Sequence, residues 1–240
     1  MSGHSKWAQI KRQKGAADAK KGALYTKLGH AIALAVREGG KDPAMNVKLR
    51  LALDKAKASN MPNATIDRAI ARGAGEGGDQ QMLEEVLYEG FAPGSSALLV
   101  EAVTDNRNRT NAEIRRIISK AGGSLGSSGS VQWQFESAGE IFLTTTALTD
   151  EQELLLIDAG ADDISRETEG TVVRTKPDKL EDVKRAAEKN SLAVENAEIG
   201  WVPKTPVTPK SDAQREQIQC LVATLEELDE VTRVTTNAAL

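Results

Sequence analysis

The hydrophobic positions near the start of the chain recur with the spacing of an α-helix. Leu24, Leu28, Ile32 and Val36 lie four residues apart, which places them on one helical face. Gly39-Gly40 follows directly, and a glycine at this point ends a helix at little cost. The pattern therefore predicts a first helix that ends at Gly39.

Two shorter helical patterns come next. Asp42 and Pro43 supply an N-cap and a first-turn proline for a helix that ends near Asn60, and Asn63 can start a third. Short loops between Ala- and Leu-rich helices predict a small helical bundle. The stretch GAGEGGD (73–79) has the composition of a flexible linker, so we place the first domain boundary there.

Beyond the linker the period changes from helical to alternating. The stretches EEVLYEG (84–90) and SALLVEAV (96–103) indicate strands joined by a turn at Pro93-Gly94. Thr110 followed by Glu113 forms a capping-box pattern that opens a helix.

The pattern in the last part of the chain predicts a second sheet and the strand that completes the first sheet. The stretch VQWQF (131–135) places Val131, Trp133 and Phe135 on one face of a half-buried strand. Residues 140–201 follow the order β-α-β-β-α-β of a ferredoxin-like unit, and the helix and strand after it would complete the interrupted first sheet. The predicted fold class is α+β: an N-terminal helical bundle followed by two α/β ferredoxin-like domains, the second inserted into the first. The expected domains are residues 1–75 (basic arm and helical bundle), 80–137 with 205–240 (discontinuous α/β domain) and 138–204 (inserted ferredoxin-like domain).

Composition narrows the class of protein. Hydrophobic residues make up 40% of the 240 positions, and no run approaches the ~18–20 apolar residues that a membrane span needs. The first residues also lack the apolar segment of a secretory signal. The single cysteine, Cys220, rules out an internal disulfide framework, and its apolar helical surroundings predict a small core residue. We expect a cytoplasmic protein without a membrane partner.

Charge is divided unevenly along the chain. Residues 1–72 contain 15 Lys or Arg and five Asp or Glu, a net +10, whereas the remaining residues contain 16 and 30, a net −14. A basic first module on an acidic body indicates a polyanion as the partner of that module.

Residues suited to catalysis are scarce. The two histidines, His4 and His30, lie near no triad or metal-binding pattern. GGSLGSSGS (122–130) looks like a phosphate loop, but it lacks the Gly-Lys-Ser/Thr ending and follows a predicted helix instead of preceding one. We interpret it as a flexible glycine turn, and we expect no enzyme, metal, cofactor or small-molecule substrate.

The basic arm at the N-terminus is the first candidate site. Its cations are Lys6, Lys11, Arg12, Lys14, Lys20 and Lys21. On a helix they would surround most of the circumference, and Trp7 and Ile10 form only a short apolar strip, so the arm has little surface to bury. These are features of a segment that orders on nucleic acid, with Trp7 able to stack on a base. The alternative is a solvated helix whose Trp7 packs into the bundle.

A second basic cluster lies in TDNRNRTNAEIRR (104–116). Arg107 and Arg109 immediately precede the predicted helix, and backbone N–H groups at a helix N-terminus favour anions. The alternative is a loop held by asparagine hydrogen bonds and by ion pairs to Glu113. From these residues alone both interpretations stay open.

Together these motifs resemble the YebC/PmpR family, which includes the mitochondrial translational activator of cytochrome c oxidase. The resemblance covers nearly the whole chain and rests on GHSKWAQIKRQK (3–14), NMPNATIDRAIARGAG (60–75), YEGFAPG (88–94), TDNRNRT (104–110) and GGSLGSSGSVQWQF (122–135). Two loop positions depart from the family pattern, with Ser95 where glycine is usual and Ser124 where asparagine is common.

The resemblance implies one helical and two α/β domains in a regulator that is not an enzyme. Members of the family have been described as DNA-binding transcriptional regulators and as ribosome-associated factors that relieve stalling at proline-rich stretches. The matching contacts in this chain would be His4, Lys6, Trp7, Lys11, Arg12 and Lys14.

Three functions can be weighed against these features. A sequence-specific DNA regulator needs a groove-reading element, whereas a basic arm suits phosphate- and shape-directed binding of structured RNA. A purely structural adaptor would leave the charge segregation unexplained. We therefore favour a ribosome-associated translation factor that contacts rRNA or tRNA, with a transcriptional regulator on promoter DNA as the alternative.

Overall fold

The structure, a computed structural model, describes residues 19–76 and 83–240. These residues form two compact units. One unit is Phe135–Lys204, and the other contains the described residues between 19 and 134 together with Thr205–Ala239. The division into three domains made from the sequence stays a prediction.

The secondary-structure elements confirm the α+β class, since helices come first and two four-stranded antiparallel sheets follow. Numbered along the chain they are α1 (Ala19–Gly39), α2 (Val47–Ala58), α3 (Asn63–Gly73), β1 (Glu84–Phe91), β2 (Ala97–Thr104), α4 (Arg107–Lys120), β3 (Ser124–Leu125), β4 (Phe135–Leu143), α5 (Asp150–Asp158), β5 (Ala161–Glu167), β6 (Gly170–Thr175), α6 (Leu180–Lys189), β7 (Val194–Pro203), α7 (Asp212–Glu226) and β8 (Val231–Thr236).

Helices α1 to α3 bury the aliphatic face that the sequence pattern predicts. Leu28, Ile32 and Val36 of α1 are almost fully buried and join apolar residues of α2 and α3 in one core cluster. Gly73 ends α3 against α1, where a Cβ would lie 2.3 Å from the backbone oxygen of Ala33. Glycine is therefore required at this close approach, and Gly73 belongs to the bundle.

The start of α2 differs from the prediction. Its N-cap is Asn46, whose side chain accepts a hydrogen bond from the Leu49 N–H at 3.0 Å. The same side chain donates to the carbonyl oxygens of Ala35 and Gly40 at 2.7 and 2.9 Å. The prediction of Asp42 as the N-cap is wrong, because Asn46 caps the first turn of α2 and also donates to two carbonyl oxygens at the end of α1.

The first sheet has the strand order β3-β1-β2-β8. The hairpin of β1 and β2 forms its centre, and β8 pairs antiparallel with β2, with Leu98 opposite Thr236. Helices α4 and α7 pack on this sheet and against each other. Because the last strand of the chain completes the sheet, the predicted insertion of the second α/β region is confirmed.

The second sheet has the order β5-β6-β4-β7, and its elements follow the chain order β-α-β-β-α-β that the sequence predicts for the ferredoxin-like unit. Helices α5 and α6 belong to it, and α5 begins with the capping box that the sequence indicates. Thr149 and Gln152 exchange side-chain and backbone hydrogen bonds at 3.2 and 3.0 Å. The first sheet also has four strands, but its elements follow a different order along the chain. The strands β1, β2 and β3, with α4 before β3, precede the insertion, and α7 and β8 follow it.

Two apolar side chains predicted to be buried are exposed instead. Residues 132–134 form a 3₁₀ turn and not a strand, so Trp133 is 67% exposed while Val131 and Phe135 are buried. Cys220 is also exposed, because the buried residues of α7 lie on the other side of the helix.

Candidate nucleic-acid interface

Most of the predicted arm lies outside the described residues. The contacts His4, Lys6, Trp7, Lys11, Arg12 and Lys14 fall there, so their role stays a prediction. Lys20 and Lys21 belong to the first turn of α1, and the Lys21 side chain is exposed. The helix that follows the arm therefore begins with basic residues.

One end of the bundle combines the start of α1, the end of α2 and the start of α3. The Tyr25 hydroxyl, one helical turn after Lys21, donates to the Asn60 carbonyl oxygen in the turn between α2 and α3 at 2.8 Å. This hydrogen bond holds the first turns of α1 beside that turn. Lys57, in the last turn of α2, is exposed at the same end.

Arg68 of α3 adds a third cation to this end. Its guanidinium donates to the Ala64 carbonyl oxygen and to the Thr65 hydroxyl, both at 3.1 Å, which turns it towards the start of α3. Neither acceptor carries a negative charge, so these contacts leave the charge of Arg68 uncompensated. We call Lys21, Lys57 and Arg68 the basic end patch; sequence reasoning selected only Lys21 among them.

Several other described cations of the bundle are held by partners in the same unit. The contacts are Lys41 with Glu76, Lys48 with Glu38 at 2.8 Å, Lys27 with the carbonyl oxygen of Glu226, and Arg37 with the carbonyl oxygen of Leu83 at 2.6 Å. Burial is the main cause that lowers the pKa of Lys27, and the carboxylate of Glu226 acts in the opposite direction. These cations hold the bundle together or attach it to the first sheet, whereas the basic end patch faces solvent.

A polar seam lies where α1 meets the first sheet. His30 of α1 has its Nδ1 buried there, with no hydrogen-bond partner among the described residues. Burial is the largest cause that lowers the pKa of His30, and the charge of Arg72 acts in the same direction, against Glu230 and Asp105. Burial and Arg72 thus favour the neutral form of the His30 imidazole.

Arg107 and Arg109 belong to the first turn of α4 and not to the loop before it. The N-cap is Asn106, whose side chain accepts from the Arg109 N–H at 3.1 Å. Thr110 is buried, with its hydroxyl oxygen 2.8 Å from that of Thr104. The predicted capping box at Thr110 is wrong because its hydroxyl bonds inward and the helix begins earlier.

The two arginines have different surroundings. The Arg109 guanidinium lies 2.8 Å from Glu230 and 2.9 Å from Asp105, and these carboxylates, Glu230 most strongly, raise its pKa. The charge of Arg109 is thus balanced within the protein. Arg107 is exposed, and within the described ranges no carboxylate pairs with it. The proposed contact of either side chain with nucleic acid stays a prediction, and Arg107 has the geometry that suits it better.

The glycine-rich loop at residues 122–130 is organised around an internal carboxylate. Glu89 of β1 is buried and accepts hydrogen bonds from the N–H groups of Gly129 at 2.5 Å and of Val131 and Gln132 at 2.8 Å each. Burial acts to raise the pKa of Glu89, but the three donors outweigh it and hold this pKa below its usual value. The donors that a bound phosphate would need are therefore occupied, and these bonds restrain a loop that we predicted to be flexible.

Two further properties concern residues 19–76 and 83–240. No group of His, Cys, Asp and Glu side chains in these ranges could hold a metal ion. No helix in them has the length and apolar character needed to cross a membrane.

Fold and charge together define a class of α+β protein with a basic helical module and an α/β sheet that contains an inserted ferredoxin-like unit. Residues 5–76 match the family model described as TACO1/YebC protein N-terminal domain. Residues 83–238 match the model described as TACO1/YebC second and third domain. The chain therefore belongs to the TACO1/YebC family, which confirms the resemblance seen in its motifs.

Individual relatives are similar over almost their entire length. A protein of Thermomicrobium roseum is 45% identical over 240 residues, which cover 100% of this chain and 96% of that protein. One of Thermoanaerobacter pseudethanolicus is 47% identical over 242 residues, covering 100% and 98%. Both carry the name "probable transcriptional regulatory protein". The crystal structure of a conserved hypothetical protein from Aquifex aeolicus is similar with a TM-score of 0.88 and 42% identity, covering 98% of this chain and 96% of that one.

Proposed function

We propose that this protein is a non-enzymatic regulator of gene expression that binds nucleic acid through its basic N-terminal region. The observation that carries the proposal is the charge of +10 in residues 1–72 beside −14 in the rest of the chain, because phosphate neutralisation dominates nucleic-acid affinity. The names of the relatives support a regulatory role. The basic end patch supports a binding surface that continues from the arm onto folded helices.

The partner that we favour is the ribosome. In this proposal the arm and the basic end patch contact rRNA or tRNA, and the protein relieves stalling at proline-rich stretches. Cations on an arm and at the end of a bundle suit recognition of phosphates and RNA shape. The part that concerns stalling rests on the resemblance to the YebC/PmpR family.

The second candidate is a transcriptional regulator that binds promoter DNA. The names of the relatives favour it directly. Helices α2 and α3 are also joined by a turn of four residues, 59–62, a length found in helix-turn-helix units. Phosphate contacts occur with DNA and with RNA alike, so the experiment has to compare binding to promoter DNA with binding to ribosomes.

The contribution of the arm is measured by the salt dependence of binding. Replacing Lys6, Lys11, Arg12 and Lys14 together with glutamine removes four positive charges. If each contacts a phosphate, the slope of log affinity against log salt falls by roughly 3–4 units. An unchanged slope would exclude the arm from the binding site.

The two nucleic acids are distinguished by comparing ribosomes with promoter DNA. We expect the wild-type chain to co-sediment with ribosomal particles at physiological salt and to give weak, sequence-independent protection of promoter DNA in footprinting. Strong, localised promoter protection together with no association with ribosomes would reverse this ranking.

A further inference from the structure

Helix α5 exposes two large aliphatic side chains. Leu154 is 61% exposed and Ile157, one helical turn further on, is 53% exposed. Leu156 is fully buried and Leu155 is half-buried, so these two side chains attach the helix to its own unit. Four consecutive residues span about 300° of a helix, and this apolar run therefore cannot face inward as a whole.

Carboxylates surround the exposed aliphatic pair. At 100° per residue, Asp150, Glu151 and Asp158 lie within about 60° of Leu154 around the helix axis, and all three are exposed. Residues 150–165 contain six acidic residues and no lysine or arginine. The outward face of α5 is therefore both apolar and negatively charged.

The first cation after this stretch acts on Asp150 through its charge but pairs directly with a different carboxylate of α5. Arg166 of β5 lies 2.6 Å from Glu153, a half-buried residue on another side of α5. Glu151 and Asp158 have no ion-pair partner within the described ranges. Their charges remain available to an external group.

These charges decide which class of partner the face suits. Carboxylates repel the phosphates of nucleic acid and of anionic lipid surfaces, so neither matches the face. Exposed apolar patches with polar rims are typical of protein–protein contacts, and charge complementarity selects the partner. A segment with apolar residues flanked by lysine or arginine would cover Leu154 and Ile157 and neutralise their rim.

We propose that the outward face of α5, formed by Asp150, Glu151, Leu154, Ile157 and Asp158, docks a basic amphipathic segment of a partner protein. In this assignment the segment belongs to a protein of the ribosomal particle. That choice of partner rests on the proposed function. The acidic body then has a role of its own: it contacts protein while the basic N-terminal region contacts RNA.

The test uses the full-length chain with two double variants. Leu154→Gln with Ile157→Gln removes the apolar pair without a change in charge, and Glu151→Gln with Asp158→Gln removes two rim charges. Glu136→Gln with Glu216→Gln is the matched control, since both carboxylates are exposed elsewhere. The capping box and Leu156 hold α5 without the substituted side chains, and thermal unfolding followed by circular dichroism checks this.

Binding is measured by co-sedimentation with salt-washed ribosomal particles and, in parallel, with protein-free rRNA extracted from them. Each α5 variant is expected to bind particles about tenfold more weakly and to bind protein-free rRNA as the wild type does. The variant without rim charges also shows a smaller salt dependence on particles than the wild type, because the contacts of the N-terminal region with phosphates are kept. The control behaves as the wild type.

Several results would overturn the assignment. Particle affinities of both α5 variants within twofold of the wild type would exclude this face, and equal losses on protein-free rRNA would make it an RNA contact. Self-association of the wild type that the Leu154/Ile157 variant abolishes would identify a second copy as the occupant. A wild-type chain that binds no particles would contradict the proposed function and this assignment together, which separates that outcome from failure of the face alone.

Discussion

At the scale of single residues, the turn between β1 and β2 contains a strained position. Ser95 has a φ of 65° and follows Gly94 with a φ of 79°. This left-handed region is unfavourable for a residue with a Cβ, whereas glycine enters it freely. Ser95 is also one of the two positions where the chain departs from the family pattern, which usually has glycine there.

Replacing Ser95 with glycine should raise the free energy of unfolding by about 0.5–1 kcal/mol. The left-handed conformation costs an L-residue roughly 1–2 kcal/mol, and the extra freedom of glycine in the unfolded chain offsets part of the gain. Urea denaturation measures the change. Ser95→Ala is the control that keeps the Cβ and should give no such gain; a glycine variant less stable than the wild type would refute the strain.

Glu89 is a second residue whose role depends on its surroundings. Its replacement by glutamine should lower the free energy of unfolding by about 2–3 kcal/mol at pH 7, since an ionised acceptor of three backbone donors is lost and the new amide N–H₂ faces one of them.

The effect of Glu89 also has a predictable pH dependence. Because its pKa is lowered in the folded state, the carboxylate stabilises the fold above its unfolded pKa, and this contribution is lost as the pH falls through the folded pKa. The stability difference between wild type and Glu89→Gln should therefore shrink between pH 7 and pH 3 in urea titrations. A difference that stays constant would rule out the ionised form as its source.

At the scale of elements, helix starts are decided by bonds outside the helix. Asn46 and not Asp42 caps α2, and Asn106 and not Thr110 caps α4. In each case both residues are of a type that caps helices well. Asn46 is chosen because its side chain also bonds carbonyls of α1, and Thr110 is unavailable because its hydroxyl bonds that of Thr104.

The two candidate caps of α2 can be compared directly. Asn46→Ala should lower the free energy of unfolding by about 2–3 kcal/mol, since loss of a cap costs about 1 kcal/mol and loss of the two hydrogen bonds to α1 carbonyls costs about 0.5–1.5 kcal/mol each. Asp42→Ala should cost less than about 1 kcal/mol. Urea denaturation followed by far-UV circular dichroism measures both, and equal losses would contradict the assignment of the cap.

At the scale of the whole molecule, the positive charge of the N-terminal region has two uses. Lys27 and Arg37 bond carbonyl oxygens next to the first sheet, and Lys48 pairs with a carboxylate within the bundle. Lys57 and Arg68 lie in the basic end patch. The same change in net charge can therefore be made at positions with different expected effects on binding.

Replacing Lys57 and Arg68 with glutamine should lower the slope of log affinity against log salt for RNA by roughly 1.4–1.8 units, at about 0.7–0.9 per phosphate contact. Replacing Lys41 and Lys48, which already pair with carboxylates, removes the same charge and should change the slope by less than about half a unit. Filter binding at several salt concentrations measures both. Equal reductions would mean that net charge alone governs binding.

The candidate site was only partly predictable from the chain. Basic composition identified the region and the exposed Lys21, but not Lys57 and Arg68 as members of the same patch. Arg109 was selected as a contact, although its charge is balanced by Glu230, 121 residues further along the chain. Whether a cation is paired with a carboxylate depends on such distant partners, and no local sequence pattern indicates them.

The sequence by itself determined the helical and strand periods, the α+β class, the insertion and the separation of charge, because these follow from neighbouring residues or from simple sums. Only the tertiary structure decided which residue caps a helix, which cations are paired and which apolar side chains stay exposed. Trp133 and Cys220 stand in apolar patterns yet face solvent, and Glu89 organises a loop some 40 residues away. These outcomes depend on contacts between residues that are distant in the chain and meet only after folding.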